Sequence, residues 1–397
     1  MRELNGRSRL LIGVTLFSMF FGAGNLIFPP FLGYQAGSAV LPAFFGFVLT
    51  AVVCPVLGVA AVAKMGGLDG LCARINPKLG FIFAVIVYLC IGPMLAIPRT
   101  AGTSYAMFSF LTNRLHSVLW FGVSAELIVR TLFSVLFFLG AGYFAKHPER
   151  LRVLFGKRMT PVLLVLIVVL FVAGLAHGEL PPAETQAAYA NGALMKGFVD
   201  GYQTMDTMAA LVFGIVIAVN LQDMGVTDKG QIAKETILGG TVAGVFLIVI
   251  YGMLSFLGYR SGSLAAQAAN GTDILTAAAA FFFGGAGSVL LAVIYFIACF
   301  NVCVGLISSC SEFFSLHFPK LGYDGWRWLL TIWSFGISIV GLDQILAISA
   351  PILSLFYPLA IAIILLNILP FGFLRKPLVQ RVVAAAALLA GVLSILP

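Results

Sequence analysis

The sequence predicts an all-α integral membrane protein: two inverted halves of five spans, with discontinuous first and sixth helices, and at least one extra C-terminal helix. Three observations carry this. Of 397 residues, 61% are hydrophobic and 10% charged, with a mean hydropathy of +1.06, whereas soluble domains carry about 25% charged residues. Apolar runs of the ~20 residues needed to cross a bilayer recur along the whole length, leaving no separate soluble domain. The basic residues, finally, fall in alternate loops.

Eleven spans are expected, at 9–34, 39–63, 79–110, 118–144, 159–177, 197–221, 234–258, 281–310, 326–342, 345–369 and 379–396. Arg2, Arg7 and Arg9 before the first run imitate a signal peptide. No small-residue cleavage site precedes a soluble domain, however, and ten more spans follow, so the first helix is expected to stay in the membrane. The loops on the N-terminal side hold eighteen basic residues: Arg2, Arg7, Arg9, Lys64, Arg74, Lys78, Lys146, Arg150, Arg152, Lys157, Arg158, Lys229, Lys234, Lys320, Arg327, Arg375, Lys376 and Arg381. The opposite loops hold Arg114, Lys196 and Arg260. Lys and Arg concentrate on the cytoplasmic side, which places the N-terminus there and accounts for most of the +8 net charge without nucleic acid. Arg130 and Arg99 lie in neither set.

Spans 1–5 (residues 1–177) and 6–10 (178–370) make the two halves, and residues 371–397 an accessory span 11. An odd number of spans per half turns the second upside down, as an inverted repeat requires. Clear internal identity is absent. The inference rests on spacing and on interruptions in corresponding positions, spans 1 and 6.

Span 1 carries FSMFFGAGNLIFPPFLGY from Phe17, with Gly22-Ala23-Gly24-Asn25 in mid-run and Pro29-Pro30 beyond. Glycine costs ~1 kcal/mol relative to alanine in a helix interior, and proline has no backbone donor. In hydrocarbon the freed groups need partners, so irregular backbone survives only against protein or a cavity. A break here would leave N–H groups and a positive dipole suited to a carboxylate. It would also leave carbonyls suited to a cation, with the Asn25 oxygen beside them. Close packing at Gly22 and Gly24 is the plainer reading; the two prolines favour the break.

Span 3 places Arg99 after Pro98, about two-thirds along, where a charge normally marks a pathway. In span 6, GYQTMDTMAALVFG from Gly201 sets Asp206 between Thr204 and Thr207. Such a carboxylate either caps a restarted helix or meets a substrate ammonium, a sodium ion or a proton. Span 8 carries CFNVCVGLISSCSEFF from Cys299. Ser308 and Ser309, with Gly305 one turn earlier, offer the oxygen ligands that hard cations prefer, although membrane serines more often bond back to the i−4 carbonyl.

No HExxH, GxSxG or GxxxxGK[ST] occurs, so no enzyme chemistry and no cofactor are expected. Cys54, Cys72, Cys90, Cys299, Cys303 and Cys310 form no CxxC pair and read as small core residues. His116, His147, His177 and His317 have no metal spacing. The GxxxG matches (Gly33 to Gly37, Gly240 to Gly244) are weak signals in a chain with 43 glycines.

These residues resemble the bacterial BrnQ-type family of branched-chain amino acid:cation symporters. The likeness covers nearly the whole chain: Phe21–Asn25 with IFPP at Ile27–Pro30, GP…PRT at Gly92–Thr100, GYxTMDT at Gly201–Thr207, LVFGIVI at Leu211–Ile217, ANG at Ala269–Gly271 and C-x-EFF at Cys310–Phe314. It implies uptake of leucine, isoleucine and valine across the bacterial inner membrane, coupled to Na⁺ or H⁺. More distantly, GAGNxxFP is similar to the first-span segment of LeuT-like sodium symporters, which implies their five-plus-five fold. Carried over, that resemblance implies one sodium site from Ser18, Phe21, Gly305, Ser308 and Ser309, with Asn25 and Thr204 for a second. It implies a head-group site from Gly22, Ala23, Gly24, Asn25, Gln203, Thr204 and Asp206, to which Arg99 is added; Asp206 has no acidic counterpart in the LeuT segment. The family usually has twelve spans, so a chain ending after eleven, with Pro397 outside, is expected to stop short of the family pattern without touching spans 1–10.

The expected function is Na⁺-coupled symport of branched-chain amino acids by alternating access. An H⁺-coupled carrier of the same fold is the alternative, and an amino-acid sensor or channel a more remote one.

Overall fold

The computed structural model describes residues 4–72, 75–108, 119–120, 123–146, 160–176, 181–265 and 267–395. Arg2, Arg74, Arg114, Arg150, Arg152, Lys157 and Arg158, the histidines at 116, 147 and 177, and the division between halves at 177/178 lie outside the described residues.

All eleven expected spans contain helix, but the first described residues of expected span 4 form a short antiparallel strand pair, Leu119–Trp120 with Val123–Ser124. Span 1 is two helices, Gly6–Phe20 and Ala23–Ala36. Span 2 runs from Val40–Val48 through a wide π turn at Leu49–Val53 into Cys54–Met65. Span 3 comprises Pro77–Leu89 and Ala96–Ala106 about an irregular turn at Cys90–Met94. Spans 4 and 5 are Ala125–Phe144 and Thr160–Ala176. Span 6 is Ala193–Asp200, a tight turn Gly201–Thr204, and Asp206–Asp223, the two arms bent by 47°. Spans 7 to 11 are Lys229–Arg260, Gly271–His317, Gly322–Ser338, Leu342–Ile368 and Pro377–Ile395. Among the described residues seven helical stretches are long and apolar enough to cross a membrane, with the bent span 6 an eighth. The protein is a multi-pass membrane protein.

Two spans expected to be continuous are not. Span 3 breaks at Gly92 (φ −90°, ψ −126°) and Leu95 (φ −129°, ψ −63°), around Pro93, because Pro93 brings no N–H to the helix. Span 8 starts at Gly271, ten residues before the expected 281, since Asn270 accepts the Thr272 N–H and Asp273 accepts those of Ala269 and Asn270. It bends at Gly284, whose φ of +59° suits glycine alone.

Span 1 packs on span 7 and span 6 packs on span 2, the exchange expected when spans 1 and 2 of one half correspond to 6 and 7 of the other. Both pairings use reciprocal glycine contacts. A Cβ at Gly33 would strike the Ser255 carbonyl, and one at Gly258 the Pro30 carbonyl. A Cβ at Gly46 would strike the Leu194 carbonyl, and one at Gly197 that of Ala43. Gly33 and Gly240, dismissed above as weak GxxxG signals, are close contacts here, Gly240 against Val56. Arg9 adds a bidentate ion pair to buried Glu235 of span 7, at 2.7 and 2.9 Å.

Backbone against backbone leaves no side chain to give way, and overpacking costs about 1–3 kcal/mol or more. Gly258→Ala and Gly197→Ala are therefore expected to lower the thermal-unfolding midpoint of the purified protein in detergent. Gly336→Ala, with nothing within 4 Å of its added Cβ, is expected to leave that midpoint unchanged or raise it.

Candidate functional site

Both breaks put peptide groups out of helical register inside a buried bundle, and the surrounding side chains answer them. At the first, Phe21 (φ −71°, ψ 98°) and Gly22 (φ −140°, ψ −155°) leave the helix, and the Asn25 Oδ1 accepts the Gly22 N–H at 2.9 Å. Pro30 has no N–H to offer the Leu26 carbonyl four residues back. The Tyr295 hydroxyl of span 8 donates to that carbonyl instead, at 2.9 Å. The Ser18 carbonyl accepts from Asn301 Nδ2 at 3.3 Å.

At the second break the chain turns at Met205, whose φ of +67° is the one positive value at a non-glycine among the described residues. The carbonyls of Gln203 and Thr204 end the short arm, and Arg99 donates to both, Nη1 at 2.6 Å and Nη2 at 3.3 Å. The break in span 3 delivers Arg99 here, one turn into its second helix, 3% exposed and 5.6 Å over the Phe28 ring. The π turn of span 2 frees the Thr50 carbonyl, which accepts the Thr207 hydroxyl at 2.9 Å.

The two breaks touch. Gly24 lies so near Thr204 that a Cβ would stand 2.8 Å from both the Thr204 carbonyl and Arg99 Nη2. Asn25 Nδ2 donates to Asp206 Oδ2 at 2.7 Å, and the Tyr251 hydroxyl donates to the same oxygen at 3.0 Å; Asn25 and Tyr251 are also bonded to each other. Asp206, 2% exposed, is thus held by neutral donors from spans 1 and 7.

Gly22, Ala23, Gly24, Asn25, Arg99, Thr204 and Asp206 line one cavity of about 30 Å³, with Met19, Phe20, Ile91, Ala209, Phe213, Val302 and Leu306 as apolar wall. A cavity needs roughly 10–15 Å³ to hold one water, so this one admits an ion or a couple of waters and no isobutyl side chain. Gln203 joins through its carbonyl. A second cavity of about 220 Å³ lies further along the same arms of spans 1 and 6, lined by Leu11, Ile12, Thr15, Ile217, Asn220 and Met224. Phe20 and Phe213, with ring centroids 6.4 Å apart, stand between them.

Of the residues expected to form a sodium site, Ser18 meets span 8 through Asn301, one turn before Gly305. Phe21 is buried at the break. The Ser308 hydroxyl bonds back to the Val304 carbonyl at 2.9 Å and reaches the Ala145 carbonyl at 3.2 Å; Ser309 and Gly305 are half-buried on the same helix. Tyr251, Tyr295 and Asn301 were missed by sequence reasoning. Their one signal is a polar group inside an apolar run.

The family described as "Branched-chain amino acid transport protein" matches this chain over residues 5–397. The chain belongs to that family. This carrier is 39% identical over 395 residues to the branched-chain amino acid transport system 2 carrier protein of Pseudomonas aeruginosa, covering 99% of this chain and 87% of that protein. To the branched-chain amino acid permease BraB of Bacillus subtilis it is 37% identical over 395 residues, covering 98% and 85%. Among solved structures it resembles Mhp1, a nucleobase-cation-symport-1 family transporter in a closed conformation with bromovinylhydantoin bound. The TM-score is 0.61 at 14% identity, over 98% of this chain and 91% of that one, and this likeness carries the fold. The carrier is a membrane transporter with the LeuT-like architecture expected from the sequence, and its relatives are named as permeases and carriers.

Because Gly24 lets the two breaks meet, Gly24→Ala in this carrier is expected to reduce amino-acid uptake by about 5- to 150-fold, the fold-change of a 1–3 kcal/mol steric cost. Uptake normalised to protein in the membrane checks it; a normal rate would detach the site from transport.

Proposed function

We propose that this chain is a Na⁺-coupled symporter of leucine, isoleucine and valine, working by alternating access in the bacterial inner membrane with its N-terminus in the cytoplasm. One observation carries the reading: two broken helices meet at a buried cavity lined by half-helix ends, one carboxylate and apolar walls.

A zwitterion meets complementary groups there. The backbone from Gly22 to Asn25 opens the second arm of span 1 and favours a carboxylate, while Asp206 favours an ammonium. The apolar walls accept an aliphatic tail. Such walls discriminate by only ~1–3 kcal/mol per methylene, so the three branched-chain substrates overlap. The coupling sodium is proposed for oxygens of Ser18, Phe21, Gly305, Ser308 and Ser309, the set the LeuT-like resemblance implies; Ser18 meets span 8 at Asn301, and Ser308 faces the end of span 4 at Ala145. Since the cavity is too small for the substrate, loading requires the arms to part. The Phe20–Phe213 pair is the barrier between the site and the second cavity.

Proton coupling draws on one specific feature, the buried Asp206 carboxylate held by neutral donors. Leucine uptake into proteoliposomes driven by an inward sodium gradient, with the proton gradient collapsed, separates the two readings. Sodium stimulation is expected; its absence would sink the sodium reading and favour the proton. Ser308→Ala combined with Ser309→Ala is expected to raise the sodium concentration for half-maximal uptake several-fold. An unchanged sodium curve would remove span 8 from the ion site.

A further inference from the structure

Arg99 is a buried cation with an incomplete set of partners. Two of its nitrogens are taken by the Gln203 and Thr204 carbonyls, the negative end of a short helical arm. Its Nε is buried and has no hydrogen-bond partner, although the side chain lines the cavity at the breaks. A buried donor left unsatisfied is costly, and charges at this depth mark sites of function. Asp206 lines the same cavity, but takes its hydrogen bonds from Asn25 and Tyr251. The two charges attract one another across the cavity, but their hydrogen bonds go to different partners.

In carriers with broken helices, unwound carbonyls at half-helix ends are where a coupling cation is coordinated. Here a guanidinium occupies that position. The other groups suited to a second ion are also engaged: the Asn25 oxygen accepts the Gly22 N–H, and the Thr204 hydroxyl oxygen accepts the Asp206 N–H at 3.4 Å while its proton goes to the Gly201 carbonyl at 3.0 Å. We propose that Arg99 is the resident cation of this site: its Nη groups hold the carbonyl end of span 6, its free Nε–H receives the carboxylate of the amino acid, and no second exchangeable ion binds between Asn25 and Thr204. Gly24 is the accessory that permits this, since a side chain there would displace Arg99 Nη2. Arg99 and Asp206 then read the two charges of a zwitterion, and one mobile ion accompanies each substrate. The inference deepens the amino-acid reading above and rests on it.

The test compares leucine with leucinamide, which keeps the ammonium and the tail but lacks the carboxylate, as competitors for radiolabelled leucine on the purified carrier. The wild type is expected to prefer leucine, and Arg99→Gln is expected to shrink that preference by about 10–100-fold, the loss typical of a hydrogen bond to a charged group. Arg99→Lys should retain part of it, because the charge survives without the planar fork. Equal affinity for both competitors in the wild type overturns the proposal, as does an undiminished preference in Arg99→Gln. If that variant fails to fold, the wild-type comparison still decides. A sodium titration of leucine binding is expected to give a Hill coefficient of one; a value near two restores a second ion and refutes the resident cation. Complete sodium independence would strike the coupling reading alone, leaving the leucinamide comparison to judge Arg99.

Discussion

A peptide group that leaves its helix inside an apolar bundle must be answered by another protein group, because no water is at hand to do it. The arrangement around the two breaks follows from that constraint. Tyr295 answers the Leu26 carbonyl, Arg99 those of Gln203 and Thr204, Asn301 that of Ser18, and Thr207 the one freed in span 2. These partners come from spans 3, 6 and 8, so each local defect in a helix becomes a long-range tie. Breaks that would weaken an isolated helix hold this bundle in register.

The interruptions of spans 1 and 6 were legible because helix-breaking chemistry is local: Gly22 to Asn25, then two prolines, and a carboxylate placed where an apolar run should continue. The exact turning point in span 6 was not, since it falls on Met205, a residue with no preference for positive φ. Gly92-Pro93 carried a readable warning for span 3, which a long hydrophobic run obscured. The partners across the breaks were harder. Tyr251 is 226 residues from Asn25, and nothing in one chain reports that separation. The glycine pairs failed for a statistical reason: when glycine is common, a four-residue spacing carries little information, and only the collision a Cβ would suffer distinguishes a contact from a coincidence.

The site is closed. Its cavity of about 30 Å³ lies beyond the Phe20–Phe213 pair from a larger one of about 220 Å³, and both are framed by the same arms of spans 1 and 6. Polar groups at the breaks and an aromatic pair beyond them thus follow one another along one pair of helices. A displacement of either arm would therefore move the aromatic pair and the polar groups at the breaks together.

The reciprocal glycine contacts also bear on motion. Where Gly33 meets Ser255 and Gly258 meets Pro30, main chain rests on main chain, with none of the rotamer freedom that lets side chains absorb a small shift. The Gly46 and Gly197 contacts repeat this where span 2 meets span 6. Joints of this kind have no play: a tilt of one helix passes undiminished to its mate, as between gears cut without backlash. Relative movement of these helices then has to be taken up elsewhere, at the interruptions in spans 1, 2, 3, 6 and 8.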